Sequence, residues 1–481
     1  MKNISRRDLI KGLFATSAVV VGFDLAGRSW VTEASGGGDF SQLPPLDGTL
    51  TTDLAALATA ADDFGHIIHR TPVAVLRPGS VEDVVKVVRF ARRHGIRVAG
   101  RGTGHTAFGQ SQAGAGVVID MTTLNRIHSV GPDRAVVDAG VVWRDLLLTT
   151  VPAGLTPPVL TDYTRLTIAG TLSVGGISGR SYIHGAQVDN ALELQVVTGE
   201  GELVTCSESE NRGLFEAALA GLGLCAVIVR ATIRLIPARA RSRTLRIFYT
   251  GVAPMLADLR LLTRAERFDH IRGMGVPTPA GFAFFIEATS FYTSAAELPA
   301  NPTEGLNFIP GSEQTEDMTY FEYTDLVVKL IDQLNEAGLG GFPHPWLDLF
   351  VPDSKIDDFA TQTVASLDPA LFLPGSLMLF FPFVASRLTR PMLRVPDGET
   401  FFLFDILRTV PHEAVASVLA ENRRLYEQSR DLGGKSYTIS AVPMSPHDWQ
   451  EHFRPFWGRL VSEKSKHDPD NVLGPGPGVF K

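Results

Sequence analysis

A chain of 481 residues is too long for one ordinary hydrophobic core, so at least two domains are expected. Apolar residues make up 44% and charged residues 20%, the balance of a globular enzyme and not of a disordered or fibrous chain. The formal charge of −8 is spread without long runs of one sign, which argues against a nucleic-acid partner, since that needs a concentrated basic face.

The N-terminus reads MKNISRRDLIKGLFATSAVVVGFDLAG. Ser5-Arg6-Arg7-Asp8-Leu9-Ile10-Lys11, followed by a moderately apolar stretch over residues 13–23, reads as a twin-arginine export signal with cleavage near Ala34. The stretch is short and rich in Gly, Ala, Ser and Thr, so no stable membrane insertion is expected. A basic amphipathic N-terminus or a membrane anchor is the other reading. Export as a folded protein suits a cofactor loaded before transport.

From Pro72 the sequence reads as a compact α/β unit. Residues 73–78 form a strand, and Ser80 caps a helix with Asp83 at the capping-box position and Val84, Val85, Val88 and Ala91 on its apolar face. Gly95 ends that helix, residues 96–99 make the next strand and residues 116–120 another, a spacing that implies parallel pairing. A second block over residues 155–237 holds the glycine-rich run 169–179, strands at 192–198 and 201–205, a helix at 213–220 and a strand at 226–230. Cys206 and Cys225 lie in this block, without a CxxC pair, and read as small core hydrophobes more readily than as a disulfide. Beyond about Arg241 glycine thins out and longer helical and aromatic stretches begin, residues 315–337 among them.

Between two of the strands lies Arg101-Gly102-Thr103-Gly104-His105-Thr106-Ala107-Phe108-Gly109-Gln110. Glycines there let the backbone approach a ligand and turn successive N–H groups toward an anion, a nest for a pyrophosphate. The loop leads into a strand and not a helix, which disfavours a nicotinamide-type dinucleotide site. His105 on this loop is either bonded to neighbouring carbonyls or placed against a cofactor.

The loop resembles the flavin loop of the vanillyl-alcohol-oxidase superfamily, with Thr106 keeping the hydroxyl that follows the histidine. Residues 160–173, Leu-Thr-Asp-Tyr-Thr-Arg-Leu-Thr-Ile-Ala-Gly-Thr-Leu-Ser, are similar to a stretch of the cytokinin dehydrogenases. The same holds for residues 342–352, Phe-Pro-His-Pro-Trp-Leu-Asp-Leu-Phe-Val-Pro, and for the C-terminal run 466–476. This resemblance implies an α+β protein: a PCMH-type FAD-binding fold of two α/β subdomains, joined to an α+β substrate-binding domain on an antiparallel sheet. The implied division is a signal peptide over 1–34, the FAD-binding domain over 60–240, the substrate-binding domain over 241–438 and a C-terminal return to the first domain over 439–481.

The resemblance further implies FAD held through Gly100, Gly102, Thr103, Gly104, His105, Thr106, Gln110, Thr167, Ser173, Ile177 and Ile228, with His105 bonded to the flavin 8α carbon. No cysteine lies in residues 155–180, so a second covalent link is not expected. It implies oxidation of a small-molecule substrate, at the C–N bond of the N6 substituent in N6-alkenyl adenines, with a quinone or oxygen as electron acceptor. Asp162 would be the base, although a turn aspartate capping the next segment fits the residues as well. Glu287, in Phe284-Phe285-Ile286-Glu287-Ala288-Thr289, would orient Asp162 or the substrate, or face solvent. Trp346 and Phe350 would wall the site or fill the core. The nearest rival is a same-fold FAD oxidase of an alcohol, sugar or secondary metabolite.

Overall fold

The computed structural model describes residues 43–480 and the backbone of one hairpin, Val19–Asp24 paired with Ser29–Glu33. Apart from that hairpin backbone, the export signal read over residues 1–34 lies outside the described residues. Ala74–Arg77, Val117–Asp120 and Val98–Arg101 pair in parallel, with Thr49–Thr51 antiparallel at the edge. Parallel strands need a crossover, and the helix Val81–Arg93 supplies it, burying Val84, Val85, Val87, Val88 and Ala91. The expected capping box is absent. Asp83 is fully buried and its carboxylate accepts the backbone N–H groups of Asp47, Gly48 and Gly79 at 2.7–2.9 Å, while Ser80 Oγ donates to Asp47. A buried carboxylate with three donors is better satisfied there than at a cap, and it ties the edge turn to the helix. The following strand begins at Val98 and not Ile96, because Ile96 N–H is still closing the helix onto Ala91.

A second, antiparallel sheet runs Leu203–Ser207, Ala191–Thr198, Ala226–Arg234, Arg134–Asp138, Ile127–Val130. Cys206 and Cys225 are buried and unbonded to one another, and burial pushes both thiols up to about 12, which makes them inert packing groups.

The third sheet has eight antiparallel strands in the order Gln314–Thr319, Arg241–Tyr249, Gly281–Tyr292, His270–Thr278, Leu377–Val384, Thr400–Leu407, Leu347–Pro352, Lys435–Ser436. Here the expected helix over 315–337 is corrected. Residues up to Thr319 form an edge strand whose Asp317 pairs with Arg243 at 2.9 Å, and helix begins only at the Thr319–Glu322 capping box. Helices Val252–Ala265, Asp353–Ser366 and Val415–Asp431 pack on this sheet. Side chains alternate across it, so Arg272, Met274, Leu379, Phe381, Leu403 and Asp405 all turn away from that layer into a cleft facing the glycine loop.

After Lys435–Ser436 the backbone returns to the first sheet: Val98 N–H donates to Val472 O at 2.8 Å and Arg70 Nη1 to Gly476 O at 2.9 Å. The architecture is α+β. Among the described residues no helix is long and apolar enough to cross a membrane.

Candidate flavin and substrate cleft

The cleft has a volume of about 370 Å³ and is lined from both sides. Twelve of the thirteen residues nominated from the sequence line it: Gly100, Gly102, Thr103, Gly104, His105, Thr106, Gln110, Asp162, Thr167, Ser173, Ile177 and Ile228. Glu287 does not.

The glycine loop is anchored from behind. Buried Asp63 accepts from Thr106 Oγ1 at 2.7 Å and from Gly109 N at 2.6 Å, and the carbonyls of Gly104 and Thr106 accept from Phe64 N and Gly65 N. The loop lines the cleft, and the backbone N–H groups of residues 102–106 meet no acceptor among the described residues. A row of N–H groups left free on such a loop suits the diphosphate of FAD. Glycine is required at two positions. A Cβ on Gly102 would lie 2.0 Å from Thr167 Oγ1, and Gly104 has φ +72° with Arg101 folded against it.

Thr167 caps the helix Ile168–Leu172 by accepting from Gly170 N, and Ser173 Oγ donates to Ala169 O; Ile177 and Ile228 are buried apolar wall. Gln110 Nε2 spans to the carbonyls of Thr438, Ile439 and Ser440, so it braces the returning C-terminal segment against the loop.

His105 makes no hydrogen bond among the described residues, which removes the reading of a loop histidine satisfied by carbonyls. Its ring packs in an aromatic nest, 4.1 Å from Phe64, 5.0 Å from Tyr163 and 5.7 Å from Trp346 between centroids. Burial, helped by the nearby His344, pushes its pKa down to about 3, so both imidazole nitrogens stay without a charge. Trp346 is thus a cleft wall. Phe350, on the strand that follows, is sealed among Phe383, Phe401 and Tyr437 and belongs to the core.

Asp162 is not a turn cap. Its Oδ2 accepts from Arg272 Nη1 at 2.6 Å, and His270 Nε2 lies 3.6 Å from Oδ1. Burial alone would raise the Asp162 pKa, but Arg272 and His270 outweigh it and hold the carboxyl well below the usual range. Arg272 also donates to Glu287 Oε2, through Nη2 at 2.6 Å and Nε at 2.9 Å, and Arg246 Nη2 closes the row on Glu287 Oε1 at 2.5 Å. Glu287 therefore reaches Asp162 only through Arg272; it neither touches the cleft nor faces solvent.

Sequence reasoning missed Arg272, His270 and the pair Asp348 and Asp405, all placed on or behind the cleft. A lone acid in an apolar strand, as in Phe401-Phe402-Leu403-Phe404-Asp405, is the signal that would have found the last of these.

The comparisons with known proteins agree with this geometry. Residues 72–207 match the FAD binding domain family, and residues 279–480 match the family described as cytokinin dehydrogenase 1, FAD and cytokinin binding. Together with the cleft, these matches define an FAD-dependent oxidoreductase. The protein is 38% identical over 440 residues to the uncharacterized oxidoreductase ORF5 in the fasciation locus of Rhodococcoides fascians, covering 90% of this sequence and 99% of that one. It is 36% identical over 490 residues to cytokinin dehydrogenase 1 of Oryza sativa subsp. japonica, covering 90% and 92%, and 30% identical over 473 residues to cytokinin dehydrogenase 3 of Arabidopsis thaliana, covering 90% of each. The protein belongs to the cytokinin dehydrogenase family.

Proposed function

We propose that this flavoenzyme oxidises the C–N bond of the N6 substituent in N6-alkenyl adenines, with Asp162 as the base. The observation that carries the reading is a carboxylate held ionised by Arg272 and His270 in the same cleft as the glycine loop and His105. FAD, when bound, supplies the two-electron acceptor for the hydride that leaves the substituent's carbon next to nitrogen. Asp162 accepts the proton of the adjacent N–H, the C–N bond becomes an imine, and water splits this to adenine and an aldehyde. Arg272 makes Asp162 a weaker base but keeps its basic form fully populated, and it fixes the carboxylate's orientation. The relatives named as cytokinin dehydrogenases support this substrate.

The finer parts of the reading concern the cofactor's attachment and the enzyme's location. His105, neutral and free of hydrogen bonds, is suited to bond through a ring nitrogen to the flavin 8α carbon. A quinone or oxygen serves as final acceptor, and the twin-arginine pattern at Arg6-Arg7 supports export of the folded, loaded enzyme.

The test is a spectrum and an acid precipitation of the purified enzyme, before and after anaerobic addition of N6-isopentenyladenine. Yellow colour that stays with the pellet, is lost from it in His105→Ala, and bleaches on addition is the expected result. Colour released to the supernatant overturns the covalent link. Colour that an alcohol or sugar bleaches, and the adenine does not, moves the enzyme to the same-fold oxidases of other metabolites.

A further inference from the structure

Two acids outside that mechanism stand in the floor of the cleft. Asp348 and Asp405 are directly opposed across the pairing of Leu347–Pro352 with Thr400–Leu407. They continue a cross-strand row that begins Met274, Leu379, and all four residues line the cleft. Asp348 is 1% exposed and Asp405 5%. The two carboxyls lie within hydrogen-bonding reach of each other. Asp348 Oδ2 accepts from Ser440 Oγ at 3.0 Å, whereas Asp405 Oδ1 meets no donor among the described residues.

Like acids directly opposite on a sheet repel, and no Arg, Lys or His faces this pair among the described residues. Burial first, and for Asp405 its neighbour's charge second, hold both carboxyls protonated well above the ordinary range. One shared proton leaves a single negative charge beside an otherwise apolar floor of Leu377, Leu379, Phe381 and Leu403. Such an arrangement is costly unless a ligand completes it.

We propose that Asp348 and Asp405 together form a recognition site for a nitrogen-borne N–H of the substrate, an ammonium or a heterocyclic N–H, and that they reject carboxylate ligands. The site is specificity-determining and independent of which carbon is oxidised, so it goes beyond the cytokinin reading. The other charged and titratable groups facing it are Asp162, held ionised by Arg272 and His270, and Tyr437, whose hydroxyl stays protonated through burial and accepts from Gly176 N. From slightly acid to mildly alkaline pH the pair alone changes charge.

The test is calorimetric titration of the flavin-loaded enzyme at pH 8 with benzylammonium, benzyl alcohol and phenylacetate, which share a ring and differ in the head group. Wild type is expected to bind the ammonium about ten-fold more tightly than the alcohol, the scale of one charge-assisted hydrogen bond, and phenylacetate least. The ammonium preference falls as the pH is lowered, when a second proton enters the pair. It collapses to about one when the variants Asp405→Asn and Asp348→Asn, near-isosteric changes, are combined, with the flavin spectrum unaltered. With N6-isopentenyladenine the same variants raise KM and spare kcat. Equal binding of ammonium and alcohol by wild type, or a preference that survives both substitutions, overturns the proposal. So does loss of flavin or a shifted flavin spectrum in the variants with selectivity retained, which would assign the pair to the cofactor. Failure of the adenine to bleach the flavin sinks the cytokinin reading and leaves the ammonium preference standing.

Discussion

Two acidic sites face one cleft and are built on opposite principles. Asp162 is compensated: Arg272 bridges it to Glu287, Arg246 closes the row, and the carboxylates are ionised at any physiological pH. Asp348 and Asp405 are uncompensated and hold a proton instead. The fold can neutralise a buried acid by a cation or by a proton, and the two routes differ in reactivity. The first gives a fixed charge in a fixed orientation; the second gives a group that responds to pH and to what enters the cleft.

The sharpest way to break the contrast is Arg272→Met, which leaves Asp162 and Glu287 facing each other without their shared cation. A loss of about 3–5 kcal/mol in unfolding free energy is expected, read by urea titration. Next is Asp162→Asn, expected to slow anaerobic flavin bleaching by the adenine about a hundred-fold or more while Arg272 keeps its pairing to Glu287.

Asp405→Asn is expected to act in the other direction on stability. Because the native pair holds protons to higher pH than unfolded carboxyls, the folded state binds more protons from about pH 4 upward, and its stability falls as pH rises through that window. Removing Asp405 removes its share of this slope, while burial still raises the Asp348 carboxyl. Thermal melts should show the variant gaining about 1–2 kcal/mol at pH 8 and nothing at pH 4. Arg272 supplies the reciprocal sign: the depressed carboxyls of Asp162 and Glu287 stabilise above about pH 4 and lose that stabilisation as pH falls through their folded values. The smallest effect is Ser440→Ala, which removes the one hydroxyl donated to Asp348. It should cost about 1 kcal/mol and move the pH dependence of ammonium binding upward.

The loop over residues 100–110 was legible in the sequence because its chemistry is local: glycines at fixed spacing, a histidine between them and strands on either side. Asp162 was legible for the same reason. The cation that governs it was not, since Arg272 arrives from a strand 110 residues away, and pairing register is a property of the whole sheet. Asp348 and Asp405 face each other only because their two strands align at that step. The Ser80 cap failed because a turn at Asp47 and Gly48 competed for Asp83, and the short polar edge strand Gln314–Thr319 was lost inside what read as a longer helix.

The wall behind the glycine loop is closed by residues from the far end of the sequence. Arg70 holds the carbonyl of Gly476, Val98 that of Val472, and Gln110 those of Thr438, Ile439 and Ser440. The brace on the loop therefore comes from residues 328–330 positions further along than Gln110. A polypeptide that holds the loop but not yet Thr438 to Ser440 lacks the contact that shapes it.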